Sequence, residues 1–195
     1  PAATAVWSAM AGFITVLWFA TMVLTVMCIR SPGVDQVMKH AFSWGLVVAI
    51  AGMGIAFLMT GPTAEQPADF QGVAGAHTVG SEDGGPGIPL FGWSTVAGDL
   101  RVPHFVGLHA LQLIPLAVFF LRTKISVTGV DFIGVGYLIV VGVLTAQALA
   151  GQSVVAPSPA FALGIIAAIA VPPTAALIRG TRADTDVESQ RPAPS

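Results

Sequence analysis

Residues 5–29 read AVWSAMAGFITVLWFATMVLTVMCI, a run of 25 positions without Asp, Glu, Lys or Arg. At 1.5 Å per residue a helix of that length covers ~37 Å, more than the ~30 Å hydrocarbon layer of a bilayer. A secretory signal peptide would carry a basic start and only ~7–15 apolar residues. Here the first basic residue, Arg30, follows the run. The segment therefore reads as a retained transmembrane helix.

Working outward, four more apolar runs follow at 41–60, 105–121, 132–150 and 159–177, none with a formal charge. The third is interrupted by His109 and Gln112. The whole chain of 195 residues has eight Lys and Arg and ten Asp and Glu, 9% charged against 54% hydrophobic. A soluble domain carries roughly 25% charged residues. The composition excludes an ordinary soluble domain and a disordered chain, and the net charge of −2 gives no basic surface for nucleic acid. A single cysteine excludes a disulfide scaffold or thiolate metal cluster. Alternating ten-residue segments of a β-barrel are absent. The expected fold is an all-α integral-membrane bundle of five helices, one membrane domain over 1–178, with a disordered cytoplasmic tail over 179–195.

Basic residues orient such a bundle. Arg30 and Lys39 fall in the first loop, Arg122 and Lys124 in the third, and Arg179, Arg182 and Arg191 in the tail. The opposite side has Arg101 alone. The expected topology in a plasma (inner) membrane is N-terminus outside and C-terminus cytoplasmic. Trp7 and Trp93 then lie near the outer boundary, Trp44 near the inner one, and Trp18 in mid-span as a packing residue. Gly45 with Ala49, Ala146 with Ala150 and Gly164 with Ala168 are small pairs that allow close helix approach. Pro115 should disturb the third helix, and Pro172 with Pro173 should kink or end the fifth.

The outer loop, 61–103, contains nine Gly and five Pro, and five acids: Glu65, Asp69, Glu82, Asp83 and Asp99. Its second half carries Ile88, Leu90, Phe91 and Trp93. A plain connector could be far shorter, and loops beyond ~12–15 residues are usually functional or disordered. The apolar half favours a folded cap dipping toward the interface.

Polar chemistry gathers beneath that cap. Asp99 can satisfy free N–H groups at the start of the third helix, or simply pair with Arg101. His104 and His109, five residues apart, point about 140° apart on a helix. His109 and Gln112 share a face, expected to look into the bundle because hydrocarbon would leave them unpaired. Gln147 returns to the same depth on the fourth helix, and His77 lies above in the loop. The candidate ligand-binding set is thus His109, Gln112, His104, Gln147, His77, Asp99 and Arg101, with His109, His77 and His104 as metal ligands. Each also has a plain reading: His109 as a neutral histidine bonded across helices, His104 as a capping residue, His77 as a loop residue. Met53 and Met59 read as core fillers, Cys28 as an inert apolar residue, Tyr137 as a hydroxyl donor to a neighbouring helix, and His40 as a residue without special role.

The run Gly98-Asp99-Leu100-Arg101, then His104-Phe105, then Gly107-Leu108-His109-Ala110-Leu111-Gln112, resembles a segment of small uncharacterised bacterial integral-membrane proteins. The resemblance spans roughly residues 75–115 and implies no activity. From the residues, the leading expectation is an outward-facing site for a cofactor or small apolar ligand. Neutral imidazole suits haem b or copper, while a quinone or lipid would need only His109 and Gln112. The alternatives are an accessory subunit of a larger membrane complex, a transporter or channel built as a homo-oligomer, and a lipid-modifying enzyme using Asp99 and Arg101 on an anionic headgroup.

Overall fold

Hydrocarbon offers no partner for backbone N–H and C=O groups, so a chain of this composition closes its hydrogen bonds within helices. The computed structural model describes residues 2–32, 35–63, 66–68 and 74–170, without the side chains of residues 2–4 and 7, which include Trp7. It contains α1 (Ala2–Arg30), α2 (Gln36–Thr60), β1 (Thr78–Val79), β2 (Gly98–Asp99), α3 (Arg101–Leu121), α4 (Val127–Leu149) and a shorter apolar helix α5 (Pro159–Ala170). Helices α1 to α4 are each long and apolar enough to cross a membrane. The chain is an all-helical, multi-pass membrane protein. The fifth expected run is helical over its described part; the rest of it, with Pro172, Pro173 and the tail, lies outside the described residues.

Capping side chains start two helices earlier than apolar composition alone indicates. Asp35 accepts from the amides of Val37 (3.0 Å) and Met38 (3.2 Å), so α2 begins at Gln36 rather than near 41. Ser126 accepts from Gly129 N at 3.2 Å, so α4 begins at Val127 rather than 132. Such oxygens satisfy amides that have no partner inside the helix. The extra turns make Lys39, His40 and Asp131 helical, which corrects the reading of these spans as free of charge. Pro115, for its part, is buried inside α3, which runs on to Leu121.

The tightest contact joins α2 to α3 at two glycines. A Cβ on Gly52 would lie 2.8 Å from the Gly107 backbone, and one on Gly107 2.6 Å from Gly52 Cα. Gly45 faces Leu111 Cα in the same seam. Around this crossing Val48, Ala110, Ile114, Val118, Val130 and Val141 form a buried apolar core shared by α2, α3 and α4. The Tyr137 hydroxyl donates to Val106 O at 2.9 Å, joining α4 to α3. Helix α1 attaches through Trp18, whose indole donates to Ile50 O at 3.1 Å; most of its other large side chains, such as Phe13 and Leu17, are exposed.

The long loop is ordered where described. Strands β1 and β2 pair antiparallel, Thr78 with Asp99 and Val79 with Gly98. A hairpin over residues 87–94 closes through Ile88 N to Trp93 O and Gly92 N to Ile88 O, both 2.8 Å. The loop rests on the end of α4, where Gly98 meets the Ala148 backbone and the Ser153 hydroxyl donates to Ser94 O at 2.8 Å.

A methyl group at the glycine crossing must force the two backbones apart. Gly52→Ala or Gly107→Ala should cost about 1–3 kcal/mol, the usual penalty of overpacking. Gly142→Ala, whose added Cβ meets nothing within 4 Å, should not. Thermal unfolding in detergent compares the three; equal melting temperatures would remove the crossing from its central place.

Candidate functional site

At the loop end of the bundle Asp99 is the organising residue. Its side chain is 1% exposed, and it accepts four N–H groups. Ser94 N reaches Oδ2 at 2.9 Å, Arg101 N and Nε reach Oδ1 at 3.0 Å, and Arg101 Nη2 reaches Oδ2 at 2.7 Å. Arg101 also donates from Nη2 to Gly92 O at 2.6 Å, tying the hairpin to the start of α3. Burial alone would push the Asp99 carboxyl up, but the guanidinium and amides outweigh it and hold the group below the usual carboxylate range. Asp83 is lowered likewise: partial burial raises it, and the Thr78 hydroxyl and amide with the His77 amide and ring more than offset that.

The three histidines proposed as metal ligands have separate partners. His77 Nδ1 lies 3.0 Å from Asp83 Oδ1 and 3.0 Å from Thr78 Oγ1, within its own turn. His104 Nδ1 donates to Gly52 O at 2.8 Å, clipping α3 to α2 at the glycine crossing. His109 Nδ1 donates to Phe105 O at 2.8 Å, one turn back on its own helix. Among the described residues no group of three His, Cys, Asp or Glu is placed to hold a metal ion.

The His109 face looks away from the bundle, opposite to the expectation that it faces inward. Ile114, in the core, is five residues from His109 and so about 140° round the helix. Gln112 is exposed, and its neighbours on that side are Phe105, Leu113, Leu116 and Phe120, all exposed. The outward placement is tolerated because both side chains satisfy their donors locally. With its amide correctly oriented, Gln112 donates to Leu108 O and His109 O, both at 3.2 Å. What remains outward is two acceptors, His109 Nε2 and Gln112 Oε1.

Aromatic rings lead from the loop to this pair. Phe91 stacks on Trp93 (4.7 Å between centroids), Trp93 meets Phe105 edge-on (5.4 Å), and Phe105 lies 3.9 Å from the His109 ring. Gln147, by contrast, is buried in the bundle. Its Nε2 donates to Ser153 O at 2.8 Å, while Oε1 has no partner among the described residues. A void of about 10 Å³ between Gln147, Asp99 and Gln152 has room for one water and nothing larger.

A second polar group, not foreseen from sequence, lies at the opposite end. Asp131 Oδ1 accepts from Trp44 Nε1 at 2.9 Å and lies 2.9 Å from His40 Nδ1. Signals for it exist: His40 and Trp44 are four apart on one helix face, and Asp131 sits just beyond an apolar run. Between the two ends, the shared face of α2, α3 and α4 is filled by the apolar core. No protein-family model matches the chain, and neither a curated protein nor a solved structure is significantly similar to it.

Asp99 and Asp83 titrate lower in the fold than in an unfolded chain. Their stabilisation is complete above an unfolded value of ~4 and is lost as pH falls through the folded values below it. Acidification from pH 5 to pH 3 should therefore release the Ser94 and Arg101 amides to hydrogen exchange. Asp99→Asn should flatten that response and cost about 2–3 kcal/mol at pH 7. An unchanged acid profile in Asp99→Asn would refute the assignment.

Proposed function

We propose that the protein binds a flat, hydroxyl-bearing membrane-soluble ligand, of the quinol type, on the outward face of α3 beside the aromatic hairpin. The observation that carries this is a pair of acceptors without partners among the described residues, His109 Nε2 and Gln112 Oε1, on a face otherwise made of Phe105, Leu113, Leu116 and Phe120. Acceptors left bare in hydrocarbon are costly, and a ligand with O–H donors satisfies them. The neighbouring rings of Phe105, Trp93 and Phe91 suit a planar partner. His109 also has the tautomer of a haem ligand, with Nδ1–H on a carbonyl and Nε2 free. Haem needs only an axial nitrogen, whereas the acceptor on Gln112 is used by a hydroxyl donor. On the same side of the bundle, the void between Gln147, Asp99 and Gln152 is only water-sized.

The bias of Lys and Arg toward the other end of the helices supports an outer-leaflet position for this face, with the hairpin as its cap on this reading. Leu90 at the hairpin tip is 97% exposed, and Cys28 is the single cysteine. In a Cys28→Ser background, Glu82→Cys, in the exposed polar turn of the same loop, should react with a membrane-impermeant maleimide added to intact cells. Labelling only after lysis would reverse the topology.

The purified protein should retain a quinol-type molecule detectable by absorbance and by organic extraction. His109→Ala or Gln112→Leu should weaken binding of added quinol about 5- to 30-fold, as removal of a hydrogen bond worth ~1–2 kcal/mol implies. His109→Ala should leave thermal stability nearly unchanged, since its ring bonds only its own helix, whereas His104→Ala should lower it. A Soret band lost in His109→Ala would replace quinol by haem. A preparation free of any ligand and insensitive to added quinol, yet co-purifying with another membrane chain through this face, would replace ligand binding by an accessory-subunit role.

A further inference from the structure

The end of the bundle opposite the long loop contains a cavity of about 280 Å³ that the reading above leaves unused. Ile29 at the end of α1 and Val47 on α2 form its apolar side. Lys39, Ser43 and Trp44 on α2 line the rest, closed by the His40–Asp131 pair. The volume is at the lower limit for a small-molecule pocket, enough for a headgroup fragment and too small for a fused ring system.

Charge decides what fits. Asp131 is engaged through Oδ1 by both His40 and Trp44. Lys39 forms no ion pair among the described residues. Its ammonium lies beside the Ser43 hydroxyl (3.5 Å from Cys28 Sγ), an imidazole and an indole. With the Asp131 carboxylate engaged by His40 and Trp44 and hydrocarbon walls on the other side, it matches a phosphate that carries an apolar tail. The surroundings agree: Arg30, Lys39, Arg122 and Lys124 all lie at this end of the helices, which the positive-inside rule assigns to the anionic cytoplasmic leaflet. The side of α1 leading away from the cavity is exposed and apolar, with Ile29 51%, Val26 45% and Phe19 57% exposed, and gives an acyl chain a surface to follow.

We infer that this cavity is a binding site for an anionic phospholipid of the inner leaflet, its phosphate held by Lys39 and the Ser43 hydroxyl and one acyl chain lying against Ile29 and Val47. It shares no residue with the His109 face, so the two readings fail independently.

Thermal unfolding of the full chain in non-ionic detergent tests it, with phosphatidylglycerol, phosphatidylcholine or inorganic phosphate added in turn. Phosphatidylglycerol should raise the melting temperature in a saturable way and the other two should not. Lys39→Gln should weaken the phosphatidylglycerol response about fivefold, the effect of one basic residue near a lipid headgroup, while leaving the lipid-free melting temperature in place. Val47→Phe, which fills the cavity without touching a charge, should abolish the response. An equal shift with phosphatidylcholine, the same shift with inorganic phosphate, or an undiminished response in Lys39→Gln would each overturn the inference.

Discussion

The contact of Gly52 with Gly107 sets the geometry on which the other features depend. Two helices meet there with no side chain between them, close enough that a methyl on either would collide with the other's backbone. In a bilayer, where lipid tails are as apolar as leucine, such close packing is a main source of helix association. The crossing brings Gly52 O within reach of His104, adding a polar clip at the same point. It also fixes which face of α3 is inward, and so which residues are left to the surroundings.

That outward face follows a simple rule of donors and acceptors. A helix has carbonyls one turn back to which a side-chain N–H can return, and His109 and Gln112 both use them. It has no spare N–H in its interior to offer an acceptor. A polar side chain on a lipid-facing helix can thus hide its donors but not its acceptors. The His109 and Gln112 pair is in this condition, and on the proposed reading a hydroxyl-bearing ligand is its complement.

Much of the fold could be read from the residues, because exclusion of charge from a 20-residue stretch has few other causes. The Asp99–Arg101 pair, the Tyr137 hydroxyl reaching a neighbouring helix and the packing role of Trp18 were also legible, each being a local or nearly forced use of a polar atom. The helix starts were not, since Asp35 and Ser126 extend α2 and α4 past the apolar runs. The His40–Asp131–Trp44 group depends on those added turns and on a pairing between positions about ninety residues apart, so neither composition nor spacing showed it. The direction of His109 differs from the expectation because burial is not the only way to satisfy an intramembrane imidazole; its own helix supplies a carbonyl one turn back. The glycine crossing is not legible from small pairs within one helix, because the tight contact takes one glycine from each of two helices.

The hairpin over residues 87–94 gives the proposed face its second wall, and its strain supports that role. Leu90 has φ +75°, a left-handed backbone that costs a non-glycine residue ~1–2 kcal/mol, and its side chain is almost fully exposed. Within the chain, then, Leu90 has strain and very little packing to offset it. The hairpin keeps this shape through the Ile88–Trp93 bonds, the Phe91–Trp93 stack and the Arg101 bond to Gly92 O. Those ties also hold Trp93 against Phe105 and, through it, beside His109. In water an exposed leucine at a strained tip is unfavourable twice over; at a membrane surface the same side chain enters an apolar phase, where its burial is worth ~1.5–3 kcal/mol and offsets the strain. On the proposed reading the tip therefore anchors the hairpin in the interface, and that anchoring keeps the aromatic wall standing over the acceptor pair on α3.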